Sequence, residues 1–156
     1  MKTFPMFFQM AGRKVVIVGG GEQAAQKTRL MLKTEAHVVV ISDVLDDELA
    51  AFAASGRIAH QSGPIQDRDF SDTVLVFIAT GCPGADSAVC ALAKAAGATV
   101  NVVDQPSLCD VITPSIVDRD PVVVAIGTEG TAPVLARQIK TQVEQLLEPN
   151  LGDLAA

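Results

Sequence analysis

Gly19, Gly21 and Ala24 stand at G-x-G-x-x-A spacing inside Val15–Lys27, which reads VVIVGGGEQAAQK. That spacing suits the binding of a pyrophosphate. Gly19 permits a tight turn, and Gly21 lets backbone amides approach an anion. Ala24 is small enough for a helix to pack closely on the preceding strand, and the helix N-terminus offers unpaired N–H groups. Asp43 lies about twenty residues further on, where a carboxylate contacts the ribose of NAD and disfavours the 2′-phosphate of NADP. Gly20, Glu22, Gln23, Val44 and Thr80 complete the expected dinucleotide contacts.

A second group of residues could do proton chemistry. Asp104 closes Asn101-Val102-Val103-Asp104, directly after an apolar run. A carboxylate there can act as a general base, or it can simply cap the turn before Pro106. Thr128-Glu129-Gly130-Thr131 precedes a helical pattern and could form an anion-binding corner, although ordinary N-capping by Thr131 explains the same residues. His37 and His60 have no ligand-spaced partner and read as strand-edge residues, so no metal site is expected. Cys82 lies near the presumed cofactor loop without a neighbouring base, and the three cysteines form no C-x-x-C pair.

The elements that must position these groups alternate along the chain. Strands are expected at Val15–Val18, His37–Ser42, Arg57–Gln61, Thr73–Ala79 and Thr99–Val103. Helices are expected at Glu22–Lys33, Asp46–Ser55 and Asp86–Ala96, with Asp46 as an N-cap. Alternation with short connections is the signature of an α/β, Rossmann-type doubly wound parallel sheet. Ligands in such sheets bind outside the carboxyl ends of the strands. The pattern then changes to β-branched runs at Ile112–Val117 and Pro121–Ile126, joined by Asp118-Arg119-Asp120, and a helix from Thr131 to Leu147. That reads as a small β-hairpin–helix module. The expected division is 1–112, 113–150 and a short tail at 151–156.

Composition narrows the class. The chain is 49% hydrophobic with six aromatics, all Phe, so its core must be aliphatic. A net charge of −6 argues against nucleic acid as a partner. No apolar run approaches the ~20 residues of a membrane span, and the N-terminus lacks a signal-peptide plan, so a cytoplasmic protein is expected.

Three stretches together resemble the N-terminal, bifunctional part of the siroheme synthase family. They are FPMFFQMAGRKVVIVGGGEQAAQK, the NVVD at Asn101–Asp104, and ITPSIVDRDPVVVAIGTEGTAPVLARQIK from Ile112. The resemblance implies NAD-dependent oxidation of precorrin-2 to sirohydrochlorin, then insertion of Fe2+, itself a substrate, to give siroheme. It implies a Rossmann domain, a dimerisation module with a helical tail, and a homodimer. Asp104 is then the catalytic carboxylate of both steps, and Thr128 lies near the tetrapyrrole. Asn101, Gly130, Thr131 and Arg137 join it as substrate contacts, with Arg119 and Lys140 as further cations for a substrate bearing eight carboxylates.

Three features depart from the family pattern. Gln23 replaces a small apolar residue, a mild departure because a polar side chain can still point to solvent. Glu129 replaces a common glycine and puts negative charge beside a polyanion site. The chain ends at Ala156, where relatives continue into a helical domain, which reads as a truncated tail. A different class of function also fits the glycine turn: an NAD-binding regulatory module, or a catalytically incomplete fragment.

Overall fold

Val15, Val16, Ile17 and Val18 are all buried, as a strand covered by helices on both faces requires. The computed structural model describes residues 1–155. In it these residues form β1 (Lys14–Val18), at the centre of a five-stranded sheet in the order β3-β2-β1-β4-β5. The others are β2 (His37–Ile41), β3 (Ala59–Gln61), β4 (Thr73–Ile78) and β5 (Thr99–Val102), and every neighbouring pair is parallel. The strand order reverses beside β1, which places the ligand-binding crevice at its carboxyl end.

Alternation along the strands divides the core between two faces. Val15, Ile17, Val38, Val40 and Phe77 pack with Ala24 and Ala25 of α1 (Glu22–Met31) and Leu49 of α2 (Asp47–Ala54). Val16, Val18, Val76, Ile78 and Val100 pack with Phe70 and with Val89, Cys90 and Ala93 of α3 (Pro83–Ala95). Asp46 caps α2, its side chain accepting from the Leu49 amide at 2.8 Å, as expected.

Several boundaries differ from expectation for local reasons. α1 stops at Met31, because the next residues close a turn in which the Lys33 and Thr34 amides reach back to Leu30 and Met31. α3 starts at Pro83, three residues before the expected Asp86, because a proline without an N–H is favoured in a first helical turn. β3 begins at Ala59, since the Arg57 amide is still bonded to the Phe52 carbonyl at the end of α2.

The chain divides into two compact units: Phe8–Val111, and Met1–Phe7 together with the chain from Ile112 onward. In the second unit β6 (Ser115–Arg119) pairs antiparallel with β7 (Val122–Ile126), followed by α4 (Pro133–Leu146). Asp118 and Arg119 therefore belong to the strand and not to its connection. The turn is Asp120-Pro121, with a cis peptide bond, and the Asp118 carboxylate accepts from the Asp120 amide at 3.0 Å. Gly152 seats the C-terminal segment against this turn, since a Cβ there would stand 2.0 Å from the Asp120 carbonyl oxygen. Among the described residues no helix is long and apolar enough to cross a membrane.

Among the glycines of the first unit the closest approach is at Gly20, where a Cβ would stand 1.7 Å from the Val44 carbonyl oxygen. Gly20→Ala should therefore cost about 2–3 kcal/mol, the scale of overpacking against backbone, in urea-denaturation measurements. Gly21 has open space at the same point, and Gly21→Ala should change stability by less than about 1 kcal/mol. Equal stability of the two variants would remove the close approach as a structural constraint.

Candidate functional site

The glycine turn is held by the ends of three strands. The Gly19 amide donates to the Ile41 carbonyl of β2 at 3.0 Å, and the Ala79 amide donates to Val18 of β1 at 2.8 Å. Gly19 adopts φ +132, and a Cβ there would lie 2.1 Å from the Ala79 carbonyl oxygen. The Gly20 carbonyl accepts from the Asp46 amide at 2.7 Å, which ties the turn to the start of α2. Gly21 is the N-cap of α1, and no atom lies within 4 Å of where its Cβ would stand. The helix N-terminus is thus open to a ligand, and its unpaired amides favour an anion.

Beside the turn lies a cleft of about 180 Å³ lined by Gly19, Gly20, Ser42, Asp43, Gly63 and Thr80, among others. Asp43 is exposed, with one carboxylate oxygen accepting from the Gly63 amide at 2.8 Å. Val44 contributes backbone, its carbonyl accepting from the Ser42 hydroxyl at 2.8 Å. Glu22 is engaged by Arg29 at 2.8 Å, and that guanidinium holds the Glu22 carboxyl below its usual range. Arg29 also pairs with Glu48 of α2. A dinucleotide suits these groups, with an open helix N-terminus for its pyrophosphate and a carboxylate for its ribose.

Asp86 is a member of the site that sequence reasoning missed. It is only 4% exposed, and it accepts from the Thr80 amide at 3.1 Å, from the Thr80 hydroxyl, and from Gln105 Nε2 at 3.2 Å. It therefore binds the loop after β4 to the loop after β5. A signal was available: an acidic residue in the first turn of a helix entered through a strand–loop connection.

Asp104 sits in the loop after β5, exposed, with its backbone at φ +60. Its carboxylate accepts from Gln23 Nε2 at 3.0 Å, so the exposed Gln23 side chain also reaches Asp104 from the start of α1. The cofactor turn and the candidate base thus share one unit. Asn101 is buried and donates to the Val111 carbonyl at 2.9 Å, so its amide holds the chain exit from β5. Cys109 exchanges hydrogen bonds with the Val102 backbone, and all three thiols are unpaired. His37 is exposed at the start of β2, whereas His60, expected to end its strand, is exposed in the middle of β3, 2.8 Å from the Ser42 carbonyl.

In the second unit Thr131 does not cap α4. The N-cap is Ala132, and Thr131 turns back to donate through its amide (2.9 Å) and hydroxyl (2.7 Å) to the Thr128 carbonyl. The turn runs through Glu129 and Gly130, both at positive φ. The Glu129 carboxylate accepts from the Lys2 and Thr3 amides, so its charge is met by the N-terminal backbone. Arg137 is exposed, whereas Arg119 is spent on the Asp118 and Glu144 carbonyls at 3.0 and 3.4 Å. Lys140 lies 3.7 Å from Glu144. A larger, open cavity of about 500 Å³ lined by Asp118, Arg119, Asp120 and Asp153, among others, also belongs to this unit. Among the described residues no three His, Cys, Asp or Glu side chains gather as a metal site.

Residues 6–115 match the family described as "Putative NAD(P)-binding". The chain is 44% identical over its full length to a siroheme synthase of Methylobacillus flagellatus, and 41% identical to one of Thioalkalivibrio sulfidiphilus. It spans about a third of these curated relatives, 33% and 32% of their lengths. A solved structure named "SirC, precorrin-2 dehydrogenase" superposes with a TM-score of 0.75 at 21% identity. The match covers 97% of this chain and 74% of that one, and it supports the same fold.

Removal of the Asp86 carboxylate leaves the Thr80 amide without its partner. Asp86→Ala should lower stability by about 1–3 kcal/mol and speed hydrogen exchange at Thr80. Unaltered exchange at that amide would mean that the two loops hold without Asp86.

Proposed function

This chain belongs to the NAD(P)-binding family, and from that premise we propose that it oxidises precorrin-2 to sirohydrochlorin with NAD. The observation that carries the reading is the juxtaposition, within one compact unit, of an open glycine turn and a positioned carboxylate, Asp104. The names of the relatives and of the structural neighbour supply the substrate class.

The oxidation removes one hydride and one proton from the macrocycle. Bound NAD supplies the hydride acceptor. The amides at the start of α1 receive its pyrophosphate, and Gly19, Gly20 and Gly21 keep that approach free of side chains. Asp43 accepts from the ribose hydroxyls and opposes a 2′-phosphate, which selects NAD over NADP. Glu22, Val44 and Thr80 border the same turn. Asp104 takes the proton, its carboxylate oriented by Gln23. Asn101 acts on the substrate side through the Val111 segment that it holds. Thr128, Gly130, Thr131 and Arg137 are assigned to the carboxylates of the tetrapyrrole.

Insertion of ferrous iron into sirohydrochlorin is a second proposed step. Iron enters as a substrate and displaces two pyrrole protons; Asp104, exposed to solvent, takes them one at a time and passes each to water before accepting the next. The proposed assembly is a homodimer through the second unit, where Val123, Val134, Leu135 and Leu146 leave apolar surface exposed. Light scattering should give twice the chain mass; a monomer at micromolar concentration would overturn that assignment.

The deciding experiment is anaerobic mixing of the chain with precorrin-2 and NAD, followed by sirohydrochlorin absorbance. Conversion is expected, and it should be weaker with NADP. Asp104→Ala should cut the rate by at least ~10²-fold while NAD affinity stays within about twofold. NAD binding without conversion would replace the enzyme with a nucleotide-sensing module or a catalytically incomplete fragment.

A further inference from the structure

Lys27 closes the glycine-turn motif, and nothing above assigns it a role. It stands one helical turn beyond Gln23 on α1, so the two side chains share a face. Gln23 touches the Asp104 carboxylate at 3.0 Å. The Lys27 ammonium lies 5.3 Å from the centre of the Phe77 ring of β4, a cation–π arrangement. Phe77 is paired in register with Asn101 of β5, and Asp104 follows three residues later. One face of α1 therefore presents an amide and an ammonium towards the end of β5. The two act on that end in complementary ways, one by hydrogen bond and the other by charge.

We propose that Lys27 is a positioning residue for Asp104, its ammonium steering the carboxylate into the orientation in which it accepts the substrate proton. This rests on the reading of Asp104 as the base of precorrin-2 oxidation. The helix supplies the cation from a fixed backbone, while Asp104 sits on an exposed loop at positive φ. A loop carboxylate gains most from a rigid partner, because misplacement by an ångström costs rate even when binding persists.

The surroundings of Lys27 make its charge conditional. Burial pushes its ammonium below the usual lysine range, and the Cys109 and Asp104 side chains oppose that shift. Both lie in the segment that follows β5. On its own helix Glu22 and Arg29 are bound to each other, and Gln23 and the Phe77 ring carry no charge. The group is protonated below its lowered pKa and loses its charge as pH rises through it. The steering should therefore fail at a lower pH than for an exposed lysine.

The test measures anaerobic precorrin-2 oxidation against pH for the wild type, Lys27→Met and Lys27→Arg, with NAD affinity measured in parallel. Lys27→Met should lower kcat by ~10-fold or more while KM and NAD affinity stay within about twofold. Lys27→Arg should recover most of that loss. Its alkaline fall in kcat should move to higher pH, because guanidinium stays protonated. Normal kcat in Lys27→Met, or a loss confined to KM, would overturn the role. Should Lys27→Met fail to fold, an unmoved alkaline limb in Lys27→Arg would overturn it equally. Absence of conversion by the wild type would overturn the oxidation reading and this role with it. Conversion by the wild type with an indifferent Lys27 would overturn this role alone.

Discussion

The carboxyl ends of β1, β2 and β4 converge at Gly19 and Gly20 so closely that neither position has room for a side chain. The obstructing atoms are backbone carbonyl oxygens, Ala79 for one and Val44 for the other, and backbone cannot swing aside as a side-chain tip can. From this contact the start of α1 inherits its place above the reversal in strand order. Ala24 and Ala25, both fully buried, then let the helix lie flat against the sheet. The helix carries Gln23 and Lys27 towards the ends of β4 and β5, so the proposed chemistry depends on the glycine contact twice. It sets the open amides of the helix N-terminus, and it aims the side chains one turn further along.

An acidic chain proposed to hold anions has to manage its own carboxylates, and this one does so locally. Near the strand ends each carboxylate meets donors: the Gly63 amide for Asp43, Thr80 and Gln105 for Asp86, Gln23 for Asp104 and Arg29 for Glu22. Asp86 is the demanding case. A buried carboxylate without partners costs several kcal/mol, and here three hydrogen bonds offset that cost while joining two loops. Glu129, which stands beside the proposed polyanion site, is likewise turned onto the Lys2 and Thr3 amides. Net charge is thus a poor guide to the local potential at the glycine turn, where helix amides dominate.

The sheet was legible because its signals are local and redundant. Short β-branched runs such as HVVVI and TVLVFI, punctuated by glycines, favour strands covered by helices. What stayed hidden depends on side chains finding partners far along the chain. Gln23 was read only against the dinucleotide and solvent, because nothing local records that Asp104, 81 residues later, comes within 3.0 Å. Asp86 was concealed by its alanine-rich helix, and Thr131 by two competing uses of one hydroxyl. It resembles an N-cap in sequence, yet it closes a turn onto Thr128 instead. The hairpin slipped for a related reason: Asp118 and Arg119 read as turn residues by composition, but β pairing runs through both of them. Propensity ranks residue types, whereas register is decided by the partner strand.

Asp104 shows how backbone and chemistry can demand the same residue. Its φ of +60 lies in the left-handed region, where side chains other than Gly, Asn and Asp are disfavoured. Glycine would relax the turn but supply no base. Asparagine would fit the turn and the hydrogen bond from Gln23, but it cannot accept a proton at neutral pH. Glutamate would supply the charge at a higher backbone cost and with one more rotatable bond to fix. Aspartate alone satisfies the turn and the proposed proton transfer together. With the short aspartate arm, orientation must come from outside the loop, and α1 provides it from the helix that the glycine contact holds in place.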